Sequence, residues 1–194
     1  MKELKKVIKD IRKKLDAKVF VTEEQVRLSL VARICQVLGW DIWNPAEFNT
    51  EYFVKKLKGT NGSVDIALFH SDKKPEAAQV FIETKIPGKL TPRLIAKWEE
   101  QLKQYNGQHS VAIGIITDGI TWRLYAPSII GGTIDNNIFA VFNILSDDID
   151  GIVKIFKDVL HRNVSRMDAL VKAQEMHLRL KKIKLVQSVK PKAM

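Results

Sequence analysis

Apolar residues recur at helical spacing from the first turn of the chain. Leu4, Val7, Ile8, Ile11 and Leu15 are interleaved with lysines over residues 1–18, which predicts an amphipathic helix with a basic face. That face is either the solvated side of a packing helix or a surface for phosphates. Thr22-Glu23-Glu24-Gln25 has the Thr-x-x-Gln form of a capping box, with acidic residues at the positive end of the helix dipole. Val26, Leu28, Leu30, Val31, Ile34, Val37 and Leu38 then predict a largely buried helix that Gly39 ends. After that the period changes. Residues 51–57 read as a strand and 59–62 as a turn. Residues 64–69 and 79–86 read as the two strands of a hairpin around a polar loop, 71–77, and Pro87-Gly88 stops the second strand. In that second strand Val80, Ile82, Thr84 and Ile86 take the core side. Thr91-Pro92 opens a helix with proline at its first position. Its buried stripe is Leu94, Ile95, Trp98, Leu102 and Tyr105, beside a polar stripe of Arg93, Lys97 and Gln101. Residues 111–117 read as a buried strand, Thr117-Asp118-Gly119 as a tight turn, 120–125 as a strand, 129–136 as a loop and 137–144 as an edge strand. Helices over 147–160 and 166–185 follow, and the basic stretch from 181 onward reads as a loosely ordered tail.

Composition narrows the class. The 194 residues fit one domain with room for an appended helix, and 45% apolar content is enough to fill a core. A formal net charge of +10 favours polyanions, nucleic acid above all. No apolar run reaches the length of a membrane span and no signal peptide opens the chain, so a cytoplasmic location with no membrane partner is expected. The single Cys35 leaves no internal disulfide or cysteine zinc site, and its apolar helical setting predicts buried packing. His109 reads as a surface residue in the loop before the strand at 111–117.

Against this background the ionisable residues inside the hairpin stand out. Asp65 lies in the first strand; Glu83 and Lys85 lie in the second and, two apart, share a face. Two carboxylates and a lysine converging at one end of a twisted hairpin can hold a hard divalent cation, which prefers carboxylate, carbonyl and water oxygens. A lysine beside that cation can orient or help deprotonate a water and stabilise charge on a phosphate. This D…ExK arrangement resembles the PD-(D/E)xK nuclease motif, with Asp65 as its aspartate and Glu83-Thr84-Lys85 as its ExK element. Ser63-Val64 stands where the motif has proline, a small departure because proline supplies no ligand.

The flanking sequence resembles a narrower group. Thr22-Glu23-Glu24, Leu38-Gly39-Trp40-Asp41, Asn44-Pro45 and Glu51-Tyr52 are similar to the opening of the nuclease domain at the start of type I restriction motor subunits and related stand-alone proteins. Gln101-Leu102-Lys103-Gln104-Tyr105 matches the QxxxY element those domains carry after ExK, and Thr117-Asp118-Gly119 with Trp122 and Tyr125 matches a structural segment of the family. The resemblance covers about 22–125. It implies an α/β restriction-endonuclease-like core (helix, three-strand antiparallel meander, helix, further strands) with added terminal helices. The division expected is a nuclease domain over 1–145, with its basic N-terminal helix, and a basic helical extension over 146–194 that packs on it or trails from it.

What the resemblance implies for function is metal-dependent cleavage of DNA. Asp65, Glu83 and the Thr84 carbonyl would hold Mg²⁺ or Mn²⁺, and Lys85 would position the attacking water. Glu23, with Glu24 as the alternative, would reach the metal site and tune the metal or bind a second one, or cap the helix only. Gln101 and Tyr105 would contact DNA or brace the site, while Lys89, Arg93 and Lys97 would grip the phosphate backbone without sequence preference. The rival reading is a catalytically silent nuclease-fold module that binds DNA or a protein partner. A plainer one is a structural protein whose strand carboxylates pair with lysines. No GxxxxGK[ST] occurs, so ATP-driven translocation would have to come from another chain. The expected partners are DNA, motor, methylation or specificity subunits, and a second copy of this chain.

Overall fold

The computed structural model describes residues 1–55, 61–70, 78–109, 111–127 and 137–189, with side chains for all of these but 55, 61, 105–109 and 184–189. The chain builds α1 (Lys2–Asp16), α2 (Glu23–Gln25), a π-helical segment (Val26–Ala32) and α3 (Arg33–Val37), which continue one another. It then builds β1 (Phe48–Lys55), β2 (Asn61–Leu68), β3 (Val80–Thr84), α4 (Pro92–His109), β4 (Ile113–Thr117), β5 (Thr121–Tyr125), β6 (Ile138–Asn143), α5 (Ile149–Leu160) and α6 (Arg166–Val189).

The six strands form one sheet in the order of the sequence. β1, β2 and β3 are an antiparallel meander and β4, β5 and β6 another. β3 and β4 pair in parallel, which requires a crossover, and α4 provides it. α4 lies close on β4 because Gly114 has no side chain: a Cβ there would meet Leu102 Cδ2 at 2.5 Å and Trp98 at 3.1 Å. One face of the sheet carries α4, through Trp98 and Leu102 against Phe81, Ile116 and Tyr125. The other face carries α1, the helix over 23–37, α5 and α6, packed on Ile66, Leu68, Val80, Ile82, Ile113, Ile115, Trp122 and Leu124. Neighbouring strand residues alternate between the two layers, as pleated strands require.

The five apolar residues of the first helix are its buried residues. The capping box also forms: the Gln25 N–H donates to Thr22 Oγ1 at 3.2 Å, and the Thr22 N–H donates to Gln25 Oε1 at 3.2 Å. Gly39, at φ +94°, closes α3. Its N–H donates to Gln36 O and the Trp40 N–H to Cys35 O, so two of the otherwise unpaired last-turn carbonyls are satisfied. Leu28 departs from expectation. It is 57% exposed, because Val26, Leu30, Val31 and Ile34 define the buried side and position 28 lies opposite them. Cys35 is fully buried, and burial pushes its thiol up to about 12.

Several boundaries shift. β1 begins earlier than expected, Asn61 and Gly62 already belong to β2, and β3 ends at Thr84. Residues 56–60, the hairpin loop 71–77 and the glycine loop 128–136 lie outside the described residues. His109 is the last residue of α4 rather than a loop residue, and α6 continues through the stretch expected as a loose tail as far as Val189. Among the described residues no helix is long and apolar enough to cross a membrane. α5 belongs to the larger apolar cluster through Ile152, Val153, Phe156, Val159 and Leu160, and α6 joins it through Ala169 and Ala173.

Candidate active site

The site forms where β2 and β3 part. Their pairing runs from Leu68↔Val80 to Ile66↔Ile82 and stops. From there β3 keeps only β4 as a partner, through Thr84↔Thr117. A backbone N–H left unpaired at such a fork needs another acceptor. The Thr84 N–H finds Asp65 Oδ2 at 2.6 Å, and the Thr84 hydroxyl donates to the same oxygen at 2.7 Å. Asp65 thus closes the fork with its side chain.

A fault in β1 and β2 accompanies this. Phe48 and Ile66 belong to the α1–α5 layer, whereas Tyr52, Val54 and Val64 face the α4 layer, although simple alternation would put all five together. The register passes from Thr50↔Ile66 to Tyr52↔Val64 without pairing Glu51 and Asp65. Glu51 sits at φ +52°, a left-handed backbone costing a residue with a Cβ on the order of 1–3 kcal/mol. Both strands change face here, with Glu51 and Asp65 unpaired at the fault.

The ExK element continues from the fork. Lys85 Nζ donates to Glu83 Oε1 at 2.9 Å and to the Thr84 carbonyl at 2.7 Å, and lies 3.5 Å from Glu23 Oε2. Glu83, Lys85 and Asp65 are each under one-fifth exposed. Glu23 comes from the first turn of α2, so of the two helix glutamates it is the one that reaches Lys85. Glu24 is held below the usual carboxylate range by its own backbone N–H and by the Thr22 side chain. Burial, seconded by the Asp65 charge, pushes Glu83 up to about 7 against the opposing pull of Lys85. Burial works against the Lys85 ammonium, but Glu83, Asp65 and Glu23 outweigh it and the amine stays above its ordinary value.

Two contributors were not among the expected site residues. Arg27, on the π-helical segment, turns its guanidinium toward Glu51 and lies 3.7 Å from Asp65 Oδ1. Its position four residues after Glu23 was the available signal, since i and i+4 share a helix face. Asp118 is the second. The Thr-Asp-Gly turn does more than pack: Asp118 Oδ2 accepts from the Gly88 N–H at 2.9 Å, and Oδ1 accepts from the N–H groups of Ile120 and Thr121. The Lys85 N–H donates to Thr117 O at 2.8 Å. The turn therefore pins both ends of the Lys85–Gly88 segment. Of the expected DNA-binding residues, Lys89, Arg93 and Lys97 are exposed, and Gln101 is half-buried on α4. Tyr105 lies on α4, with its side chain outside the described set.

Among the described residues no three histidine, cysteine or carboxylate side chains form a ready cage for a metal ion. The donors that do converge are two carboxylates and one main-chain carbonyl. All are hard oxygens, and two of them already hold a cation, the Lys85 ammonium. That set fits a small divalent ion such as Mg²⁺, which keeps several waters and takes few protein ligands. A consequence for pH follows from Glu83. Its folded pKa is raised from 4.5 to about 7, so the folded protein retains a proton that the unfolded chain has lost. This group's stabilising contribution is complete at low pH and is lost as pH rises through about 7. Metal binding needs the ionised form. Mn²⁺ affinity measured by calorimetry is expected to rise about tenfold from pH 6 to pH 8 and then level off, with proton release below pH 7. A flat profile would remove Glu83 from the ligand set.

No protein-family model and no curated protein matches the sequence. Among solved structures, the fold is similar to a chain in a cryo-electron-microscopy structure of the DrdV–DNA complex, with a TM-score of 0.52 and 19% sequence identity. The likeness covers 80% of this chain and 14% of that chain, so this chain spans a small part of the neighbour's length. At that identity the similarity is one of fold. The chain has the mixed α/β architecture expected of a restriction-endonuclease-like core: a helix, a three-strand meander, a helix and further strands, with helices added at both ends.

Proposed function

We propose that this chain is a divalent-metal-dependent nuclease domain that hydrolyses DNA phosphodiester bonds, of the kind found in type I restriction motor subunits. The observation that carries the reading is the meeting of Asp65, Glu83, Lys85, Glu23 and the Thr84 carbonyl at one strand fork. The fold neighbour solved as a DNA complex and the net charge of +10 support DNA as the partner. Asp65, Glu83 and the Thr84 carbonyl would hold Mg²⁺ or Mn²⁺; when bound, the ion polarises a phosphoryl oxygen as a Lewis acid. Lys85 does the protein's part at the reacting water. Its ammonium orients the water's lone pair and offsets negative charge as it builds on the phosphate. Glu23, 3.5 Å from that ammonium, helps to hold it. Lys89, just before α4, and Arg93 and Lys97 on α4 present exposed charge to the phosphate backbone, and Gln101 and Tyr105 follow on α4.

The test is cleavage of supercoiled plasmid by the full chain in Mg²⁺ and in EDTA. Cleavage is expected with Mg²⁺ alone. Lys85→Met is expected to lower it by about 10²-fold while Mn²⁺ still binds by calorimetry. Cleavage undiminished in Lys85→Met would take Lys85 out of the mechanism. DNA binding without Mg²⁺-dependent cleavage would favour the silent binding module instead.

A further inference from the structure

The Oδ1 oxygen of Asp65 faces another cation. Arg27 is only 14% exposed, and one of its nitrogens, Nη1, touches Glu51 and lies 3.7 Å from Asp65 Oδ1. Asp65 Oδ2 is committed to the two donors of Thr84. Oδ1 is therefore the oxygen Asp65 can offer to an ion, and Arg27 guards one approach to it. Glu51 reaches Arg27 from a left-handed backbone position at φ +52°, a conformation that persists only where the surroundings hold it. Arg27 thus already supplies positive charge on this side of Asp65, so an ion placed there would face the guanidinium at close range.

We propose that Arg27 is the centre's second cation: it permanently fills the Glu51–Asp65 side, so the chain takes one divalent ion, at Asp65 and Glu83, and not two. This rests on the metal-dependent reading above. A guanidinium suits the place because it stays charged at every relevant pH and presents a planar fork of donors to paired carboxylates. Arg27 acts here as a positioning residue: it orients Asp65 and excludes an ion.

Calorimetric titration of the full chain with Mn²⁺ at pH 8 tests the assignment. The parent is expected to bind one ion per chain. Arg27→Gln is expected to bind two, because Glu51 and Asp65 then share no cation. Arg27→Lys, which keeps the charge, is expected to bind one, and Arg27→Gln combined with Glu51→Gln is expected to return to one. A parent that binds two ions, or a folded Arg27→Gln that still binds one, would overturn the assignment and leave the metal-dependent reading intact. A parent that binds no Mn²⁺ would overturn that reading, and the inference with it. The parent stoichiometry is decisive by itself if Arg27→Gln does not fold.

Discussion

Asp65→Asn is expected to lower Mg²⁺-dependent DNA cleavage by about 10³-fold and to abolish measurable Mn²⁺ binding, with little change in the melting curve of the metal-free protein. The substitution keeps the shape of the side chain. Its one remaining oxygen can still accept from the Thr84 N–H and hydroxyl, the bonds that close the fork between β2 and β3. What goes is the anionic oxygen facing the site. In its place an amide N–H₂ would face Arg27, donor against donor, and Arg27 would keep only Glu51. A second readout separates loss of a ligand from loss of structure. The Asp65 charge is one of the causes that hold Glu83 up at about 7. Without it Glu83 is expected to ionise at lower pH, a shift visible in a carboxyl-carbon NMR titration. Cleavage retained within about tenfold, with Mn²⁺ still bound, would show that Asp65 is not part of the centre.

Much of this was legible in the sequence because local chemistry and tertiary demand agree. The lysine-spaced apolar set of α1, the Thr22–Gln25 box and the Gly39 cap each follow from groups within one or two turns, and each formed as expected. The hairpin was legible for the same reason, and with it the shared face of Glu83 and Lys85. The fault at Glu51 and Asp65 was not. Alternation assumes an unbroken ladder, and a glutamate is not the residue expected where the backbone turns left-handed. Nothing local to residues 48–54 signals that the strand changes face midway. Arg27 was hidden differently. Its buried neighbours Val26 and Leu30 dominate the pattern, and only its spacing from Glu23 hints at a shared direction. The parallel pairing of β3 and β4 and the bracing of Lys85 and Gly88 by Thr117 and Asp118 are contacts across some thirty residues, which strand propensity does not encode.

Phe156→Ala is expected to destabilise the protein by about 3–5 kcal/mol, measured by denaturant unfolding followed through tryptophan fluorescence. Globular domains have only about 5–15 kcal/mol in total, so the variant should unfold at markedly lower denaturant. The cost lies in the shape of the void. Trp122 from β5 and Phe142 from β6 lie nearly parallel, at 8° and 6.1 Å. Phe156 from α5 meets both edge-on, at 4.9 and 5.4 Å. These arrangements suit the ring quadrupoles, and flat rings anchored on paired strands cannot collapse into the space an alanine leaves. Nor can α5 move inward easily. Its Leu160 carbonyl accepts from Trp40 Nε1 at 2.8 Å, and the Arg162 N–H just beyond it donates to Leu38 O at 2.9 Å, so its end is tied to the end of α3. α3 continues the helix that carries Glu23 and Arg27. The ring trio under the C-terminal helices thus steadies the far end of the element whose near end supplies the site. A loss below about 1 kcal/mol would mean that α5 rests on the sheet without belonging to its core. Cleavage per folded molecule, measured well below the transition, is expected to be unchanged, because none of the three rings is among the residues that meet at the fork.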